Sequence, residues 1–146
     1  MTSTLCTIGF TQKTLQQFIE RLRGAGVQAV IDVRLRNTSQ LAGWSKYPDI
    51  AYLLKAGFGF DYEHHPEFAP TGELLDQYKK TGDWPTYEVA FQQLLAERQP
   101  EREAIALLER DGICLLCTEP QADRCHRRLV AEYLASFRPK VRIEHL

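Results

Sequence analysis

The feature that most constrains the fold is a repeated change of hydrophobic period along the chain. Short apolar segments rich in β-branched or aromatic residues have the pattern of strands, and they fall at residues 4–10, 29–34, 58–63, 113–118 and 141–145. Between them apolar residues recur at helical spacing. Because parallel neighbours need crossovers, which are usually helical, this alternation predicts an α/β fold with a mainly parallel central sheet flanked by helices.

Polar residues mark where the helices begin. Thr14, with Gln17 three residues later, has the pattern of a capping box in front of the first helix. Further helices are predicted at residues 49–55, 73–80, 87–98, 100–110 and 123–136. The last of these carries an apolar stripe at helical spacing, which favours packing against the sheet.

The length and charge of the chain limit the classes of function. Its 146 residues contain no repeat, linker or low-complexity tract, so residues 1–146 are assigned to a single domain. A domain of this size buries roughly 70% of the surface of its unfolded chain and can fold without a metal or a disulfide. The net charge of −1 gives no general attraction to nucleic acids or membranes. A role with nucleic acid would therefore have to rest on a local patch.

The cysteines and the N-terminal residues both bear on the cellular compartment of the protein. Four cysteines occur, and at least three of them lie in segments predicted as buried strands or helix starts, which is typical of a reducing compartment. The N-terminus has no basic stretch followed by a long apolar one, and no apolar run is long enough to span a bilayer. We therefore expect a cytoplasmic protein without membrane association.

An acidic and a basic residue share one face of the second predicted strand. Asp32 and Arg34 do so because strand side chains alternate with a period of two. A buried carboxylate is costly unless it is paired or hydrogen-bonded, so Asp32 is either structural or part of a site. The polar segment at residues 35–47 leaves the same end of this strand, where loops of parallel sheets commonly build sites.

The densest group of reactive side chains lies near the C-terminus. The most apolar strand ends in Cys117 and Glu119, and after a proline come Cys125, His126 and Arg127. Ligands of parallel α/β sheets bind beyond the carboxyl ends of the strands. The sequence therefore predicts that this group converges with the other strand ends, at residues 9–11 and 32–34, in one site.

The start of the last helix allows two interpretations. Asp123 is a good N-cap residue, which would place Cys125 and His126 in the first turn. A thiolate in that position is stabilised by free backbone N–H groups, the helix dipole and the nearby arginines. The same groups would also bind a phosphate or carboxylate without any covalent step. Cys125 could equally pack as a small apolar residue.

The spacing of the cysteines indicates which of them could bind a metal or form a redox pair. Cys114 and Cys117 form a C-x-x-C pattern, but strand residues three apart point to opposite faces, so this pair should neither chelate a metal nor form a redox pair. A zinc site is an alternative. Its ligands would be Cys117, Cys125 and His126, with Glu119 or Asp32 as the fourth. The sequence specifies no cofactor.

Several pieces of the chain match the motifs of a known family. They are residues 7–11, 32–34, 69–75, 117–119 and 125–127. The chain resembles the domain-of-unknown-function family 488 over nearly its whole length. Many members read Thr-Ile-Gly-His-Ser where this chain has Phe10 and Thr11 after Gly9, so a role for that histidine does not carry over.

The resemblance implies a compact α/β domain whose matched polar residues lie together, and it names no reaction. The matched residues are Gly9, Asp32, Arg34, Cys117, Glu119, Cys125, His126 and Arg127. They agree with the strand-end argument, which rests on independent grounds.

Two hypotheses of different class follow. The first is an enzyme, or a ligand-binding protein, for a small anionic or nucleotide-like molecule, with Cys125 or Cys117 as a thiolate nucleophile. The catalytic candidates are Cys117, Glu119, Cys125 and His126, and the ligand-binding candidates are Gly9, Asp32, Arg34 and Arg127. The second is a non-catalytic nucleic-acid-binding module. Its basic surface with a stacking aromatic would consist of Arg34, Arg36, Trp44 and Lys46.

Overall fold

The strands form a single sheet. The structure is a computed structural model that describes residues 3–38 and 43–146, so residues 39–42 of the predicted polar loop lie outside the described residues. The strands are β1 (Thr4–Gly9), β2 (Ala29–Asp32), β3 (Asp61–His64), β4 (Ile113–Cys117) and β5 (Arg142–His145). Their order is β3-β2-β4-β1-β5, and every neighbouring pair is parallel. The predicted α/β class is confirmed.

Six α-helices are present in the described part of the chain. They are α1 (Leu15–Gly24), α2 (Asp49–Tyr52), α3 (Gly72–Thr81), α4 (Trp84–Arg98), α5 (Glu101–Leu108) and α6 (His126–Ala135). A π-helical turn, Leu53–Gly57, continues α2, and for this reason β3 begins later than predicted. No helix within residues 3–38 and 43–146 combines the length and apolarity that crossing a membrane would require.

The capping box predicted for the first helix is confirmed. The hydroxyl of Thr14 accepts from the backbone N–H of Gln17 at 3.1 Å, and the backbone N–H of Thr14 donates to the Gln17 side chain at 2.9 Å. These two bonds satisfy donors that the helix itself leaves unpaired. The helix then buries Phe18, Ile19 and Leu22 on one face, as its spacing predicted.

Helices cover both faces of the sheet, and β4 contributes to both cores. Cys114 and Leu116 pack with the buried face of α1, whereas Leu115 and Cys117 pack with side chains of α4, α5 and α6. The two cysteines of the C-x-x-C pattern therefore lie in different cores, as strand alternation predicted. Cys114 stands opposite Cys6 of β1 in the parallel register, in the core that α1 covers.

The strand order brings three strand ends together. β4 lies between β2 and β1, and Gly9 pairs with Cys117 while Asp32 pairs with Leu116. The helix that follows β1 covers one face of the sheet, and the helix that follows β4 covers the other. The connections that follow β1 and β4 thus run to opposite faces of the sheet. Open α/β sheets form a ligand crevice between two neighbouring strands whose connections diverge in this way.

Gly9 marks the closest approach between β1 and the turn after β4. A Cβ at residue 9 would stand 1.5 Å from the carbonyl oxygen of Glu119 and 2.8 Å from Nη1 of Arg127. Because that carbonyl belongs to the backbone, the whole turn would have to move. We expect Gly9→Ala to lower the free energy of unfolding by about 1–3 kcal/mol in urea titrations.

Gly24→Ala is the matched control. At the end of α1 an added Cβ meets nothing within 4 Å, so this change should leave stability unchanged or raise it slightly. Equal losses of stability in the two variants would contradict the close approach at Gly9.

Candidate functional site

A cleft of about 260 Å³ opens beyond the carboxyl end of β4. Cys117, Cys125 and His126 line it, and all three side chains are buried. Glu119 also lines the cleft, but it is exposed. The structure thus brings the four predicted catalytic candidates to one place, and the strand-end argument accounts for this placement.

His126 is oriented by a backbone carbonyl. Its Nε2 lies 2.7 Å from the carbonyl oxygen of Val33, the residue that follows β2. Because a carbonyl oxygen only accepts, Nε2 carries a proton and donates it. The other ring nitrogen, Nδ1, lies 3.4 Å from the sulfur of Cys117. It can accept from the thiol or, as part of an imidazolium, donate to the thiolate. Thiol, imidazole and orienting group are thus arranged as in nucleophilic catalysis.

Cys117 is the thiol with the lowered pKa. Burial raises its pKa, but hydrogen bonds from the Cys125 thiol and the Thr118 backbone N–H lower it, as does the charge of Arg127. These contributions together hold the pKa of Cys117 below that of an ordinary thiol. Burial raises the pKa of Cys125 well above the usual value, and its neighbour Cys117 raises it further, while His126 lowers it in part. Of the two thiols, Cys117 thus has both the lowered pKa and the 3.4 Å contact with Nδ1 of His126.

The prediction that Cys125 lies in the first helical turn is wrong. The N-cap residue of α6 is Cys125 itself, with an extended backbone (φ −134°, ψ 138°), and Asp123 lies in the preceding turn. The N–H of Cys125 donates to the carbonyl of Ala122 at 3.1 Å, which closes that turn. The helix therefore begins with His126 and Arg127. Cys125 lacks the first-turn position that was expected to stabilise its thiolate.

Asp32 is the fully buried centre of a polar network. Its carboxylate accepts two side-chain bonds from Arg34, at 2.9 and 2.8 Å, and a backbone bond from the same residue at 3.0 Å. Tyr62 of β3 donates to it at 2.5 Å, and Asn37 donates at 3.4 Å. Burial, then the charge of Asp32, raises the pKa of Tyr62, so its hydroxyl remains a donor. Asp32 thus positions Arg34 beneath the cleft.

Arg34 lines the cleft, and one nitrogen of its guanidinium has no hydrogen-bond partner among the described residues. Its side chain is 2% exposed, and its Nη1 atom has no hydrogen-bond partner within the described residues. Three further cations line the cleft, namely Arg36, Lys79 and Arg124, and Glu119 is the acidic side chain among the described lining residues. Arg34 is paired with Asp32 and Arg36 with Asp76, so the excess rests on Lys79 and Arg124. This excess of positive groups favours a negatively charged ligand.

Two of the predicted ligand-binding residues lie beneath the turn after β4, outside the cleft lining. Arg127 is 1% exposed; its Nε donates to the hydroxyl of Thr7 at 3.2 Å, and its Nη1 donates to the carbonyl of Glu119. Gly9 leaves space for that same carbonyl. Both residues therefore help to fix the backbone of the turn that carries Glu119, and this turn forms part of the cleft wall.

Sequence reasoning missed the aromatic wall of the cleft. Tyr78 of α3 and Trp84 and Tyr87 of α4 line it, with Tyr87 and Trp84 stacked at a centroid distance of 5.3 Å. Their spacing in the sequence is that of ordinary helix packing. No local signal distinguishes them, because the packing of α3 on α4 and of α4 on α6 brings them beside Cys117.

The residues of the predicted nucleic-acid surface do not form one exposed platform. Arg34 is buried against Asp32, and the ring of Trp44 packs on Phe18 at 5.0 Å. Arg36 is bonded to Asp76. The nucleic-acid role stays a prediction, to which these contacts add no support.

Three potential metal ligands lie together in the cleft floor. The Sγ atoms of Cys117 and Cys125 and a ring nitrogen of His126 all lie within 4.8 Å of one another. The backbone bond of Nε2 leaves Nδ1 facing the sulfurs, an orientation typical of zinc-binding histidines. Asp32, named as a fourth ligand by the sequence, is engaged by Arg34. A fourth ligand would have to come from Glu119 or from solvent.

The fold and site define an α/β protein with a cysteine–histidine cluster at the carboxyl ends of its parallel strands. Residues 14–134 match the family model described as domain of unknown function DUF488, and the chain belongs to that family. No curated protein and no solved structure gave a significant match. The resemblance inferred from the motifs is confirmed over residues 14–134, and the motif at residues 7–11 lies outside the matched range.

The buried ion pair beneath the site leads to a stability prediction. Asp32→Ala would leave the guanidinium of Arg34 buried and unpaired, so we expect the free energy of unfolding to fall by about 3–5 kcal/mol. The measurement is a urea titration followed by circular dichroism.

Asp76→Ala is the control, since it removes an Arg–Asp pair of similar length whose partners are 46% and 62% exposed. Solvent screens that pair, and its loss should have little effect on stability. Comparable effects of the two substitutions would contradict the assigned role of Asp32.

Proposed function

We propose that the protein is a thiol-dependent enzyme acting on a small anionic molecule bound in the cleft. The observation that carries this proposal is the 3.4 Å contact between the sulfur of Cys117 and Nδ1 of His126, with Nε2 of the same ring held by the Val33 carbonyl. A thiol beside an oriented imidazole is the arrangement in which a cysteine becomes a nucleophile near neutral pH.

The reaction would be a group transfer through Cys117. His126 takes the thiol proton, and the thiolate attacks an electrophilic carbon of the substrate, forming a carbon–sulfur bond. The leaving group departs with the bonding electrons and takes the proton back from His126. Water, deprotonated by His126, then displaces the sulfur and restores the thiol–imidazole pair. Glu119 lies at the exposed side of the cleft, in a position to orient that water.

The charge and walls of the cleft define the substrate class. Arg34, Lys79 and Arg124 favour a carboxylate or phosphate group, and Nη1 of Arg34, which has no partner among the residues that the structure describes, offers a buried donor for it. Trp84 and Tyr87 provide apolar and aromatic surface for a planar body. A small nucleotide-like anion satisfies both requirements.

We also place this reaction in the cytoplasm. All four cysteines are free, and a reducing compartment would keep them as thiols. The nucleophile proposed here depends on that state of Cys117.

Alkylation tests the nucleophile. We expect iodoacetamide at neutral pH to modify Cys117 faster than free cysteine, because a lowered pKa increases the thiolate fraction. The rate should rise with pH through an inflection below that of an ordinary thiol. Peptide mapping by mass spectrometry identifies the modified residue, and AMP or inorganic phosphate should slow the reaction by occupying the cleft.

Cys114 is the internal control, since it is fully buried in the opposite core and its pKa is raised by burial. Cys114→Ser should keep the fast reaction, and Cys117→Ser should remove it. A fast reaction that survives Cys117→Ser would refute the assignment. Arg124→Ala should weaken protection by AMP, whereas Arg102→Ala, a change on the exposed face of α5, should not.

A zinc site is the second candidate function, and the three clustered ligand atoms are the observation that favours it. Tetrahedral zinc holds sulfur at about 2.3 Å and nitrogen at about 2.0 Å, so neighbouring ligand atoms stand roughly 3.5 Å apart. The 3.4 Å contact between Cys117 and His126 has this length. In that case Cys117 would be a ligand and not a nucleophile.

Metal analysis separates the two candidates. The thiol enzyme predicts less than stoichiometric zinc in protein purified without chelator, and zinc near one equivalent would favour the metal site. If zinc is bound, Cys125→Ser should lower its content, whereas Cys114→Ser should leave it unchanged. Elemental analysis by mass spectrometry gives the readout.

A further inference from the structure

Two sulfurs lie side by side in the cleft floor. Cys117 ends β4, and Cys125 precedes α6. Their Sγ atoms belong to a cluster whose members all lie within 4.8 Å of one another, and both side chains line the cleft. A disulfide bond is about 2.05 Å long. A short approach of one sulfur to the other would therefore close it.

We propose that Cys117 is a site of oxidation by hydroperoxides and that Cys125 resolves the oxidised sulfur as a Cys117–Cys125 disulfide. The inference rests on the Cys117 thiolate of the proposed function and adds a redox reaction to it. A reactive thiolate next to a resolving thiol is the arrangement found in reversible redox sites.

The contact with His126 supports this division of roles. The sulfur of Cys117 lies 3.4 Å from Nδ1 of His126, the ring nitrogen that can take its proton, while Nε2 of the same ring is held by the Val33 carbonyl. Cys117 is thus the sulfur that reacts first. The sulfur of Cys125 lies beside it in the same cluster, within reach of the oxidised atom.

Rotation of the Cys125 side chain provides the approach. The backbone of Cys125 is extended and is held on both sides, because its N–H donates to the Ala122 carbonyl and its carbonyl accepts from the Arg128 N–H, each at 3.1 Å. Cys117 lies in the centre of the sheet between β1 and β2. We therefore expect the Cys125 side chain to move while both backbones stay in place.

The reaction balances with a hydroperoxide as the oxidant. The Cys117 thiolate attacks the terminal oxygen, a sulfur–oxygen bond forms, and the oxygen–oxygen bond breaks. The leaving alkoxide or hydroxide takes a proton from His126. The Cys125 thiol then gives its proton to His126 and attacks the Cys117 sulfur. The sulfur–sulfur bond forms, and hydroxide leaves with the proton from His126 as water. Two thiols are oxidised, and the peroxide is reduced to an alcohol (or water) and water.

The other pair of cysteines provides a comparison within the same chain. Cys6 and Cys114 stand directly opposite each other in the register of β1 and β4, and both are buried. Burial raises the pKa of each, and neither lines the cleft. Proximity alone would allow this pair to be oxidised as well. The proposal requires that Cys117 and Cys125 react and that Cys6 and Cys114 do not.

The test treats the intact protein with one equivalent of hydrogen peroxide and maps its peptides under non-reducing conditions. We expect the mass to fall by two hydrogens, a crosslink between the peptides of Cys117 and Cys125, and reversal by dithiothreitol. Cys125→Ser should instead retain a sulfenic acid on Cys117 that dimedone traps. A variant with both Cys6→Ser and Cys114→Ser should still form the crosslink.

The mapping of the unaltered protein decides the matter even if Cys125→Ser does not fold. A crosslink between Cys6 and Cys114, or no crosslink at all, would overturn the proposal. If Cys117 is alkylated rapidly but peroxide forms no crosslink, the redox inference fails while the nucleophile stands. If alkylation is slow and no crosslink forms, both fail.

Discussion

The buried carboxylate of Asp32 is the constraint on which the rest of the site depends. A fully buried charge must be neutralised, and here the donors come from the strand end itself, from the segment after it and from the neighbouring strand: Arg34, Asn37 and Tyr62. These bonds hold Arg34 and Asn37 against the end of β2. The guanidinium of Arg34 lies at the cleft, and the carbonyl of the neighbouring Val33 accepts from His126.

The chemistry of the cleft follows from contacts across three strand ends. β2 supplies the carbonyl that orients His126, β4 supplies Cys117, and the turn after β4 passes over Gly9 of β1. Arg127 binds that turn from below, and its charge lowers the pKa of the Cys117 thiol. Arg127 can in this way lower the pKa of the Cys117 thiol without contacting a ligand. The Cys117 thiol and its environment therefore depend on contacts along the whole sheet edge.

Much of the fold follows from patterns of single segments. The capping box at Thr14 was predictable because its two bonds join residues three apart, and the opposite faces of Cys114 and Cys117 follow from strand alternation. The start of α6 was predicted incorrectly from Asp123. Asp123 lies instead in a turn that the hydrogen bond from the Cys125 N–H to the Ala122 carbonyl closes. The first helical residue is therefore His126.

The sequence by itself determined the α/β class and the group of polar residues that meet at the strand ends, because periodicity and strand direction are local properties. The tertiary structure decided which cysteine has the lowered pKa. Burial, the hydrogen bond from Cys125 and the charge of Arg127 act on Cys117 only after β4 and α6 have packed. It also decided the aromatic wall of Trp84 and Tyr87, since the position of a helix over a sheet depends on contacts between segments distant in the chain.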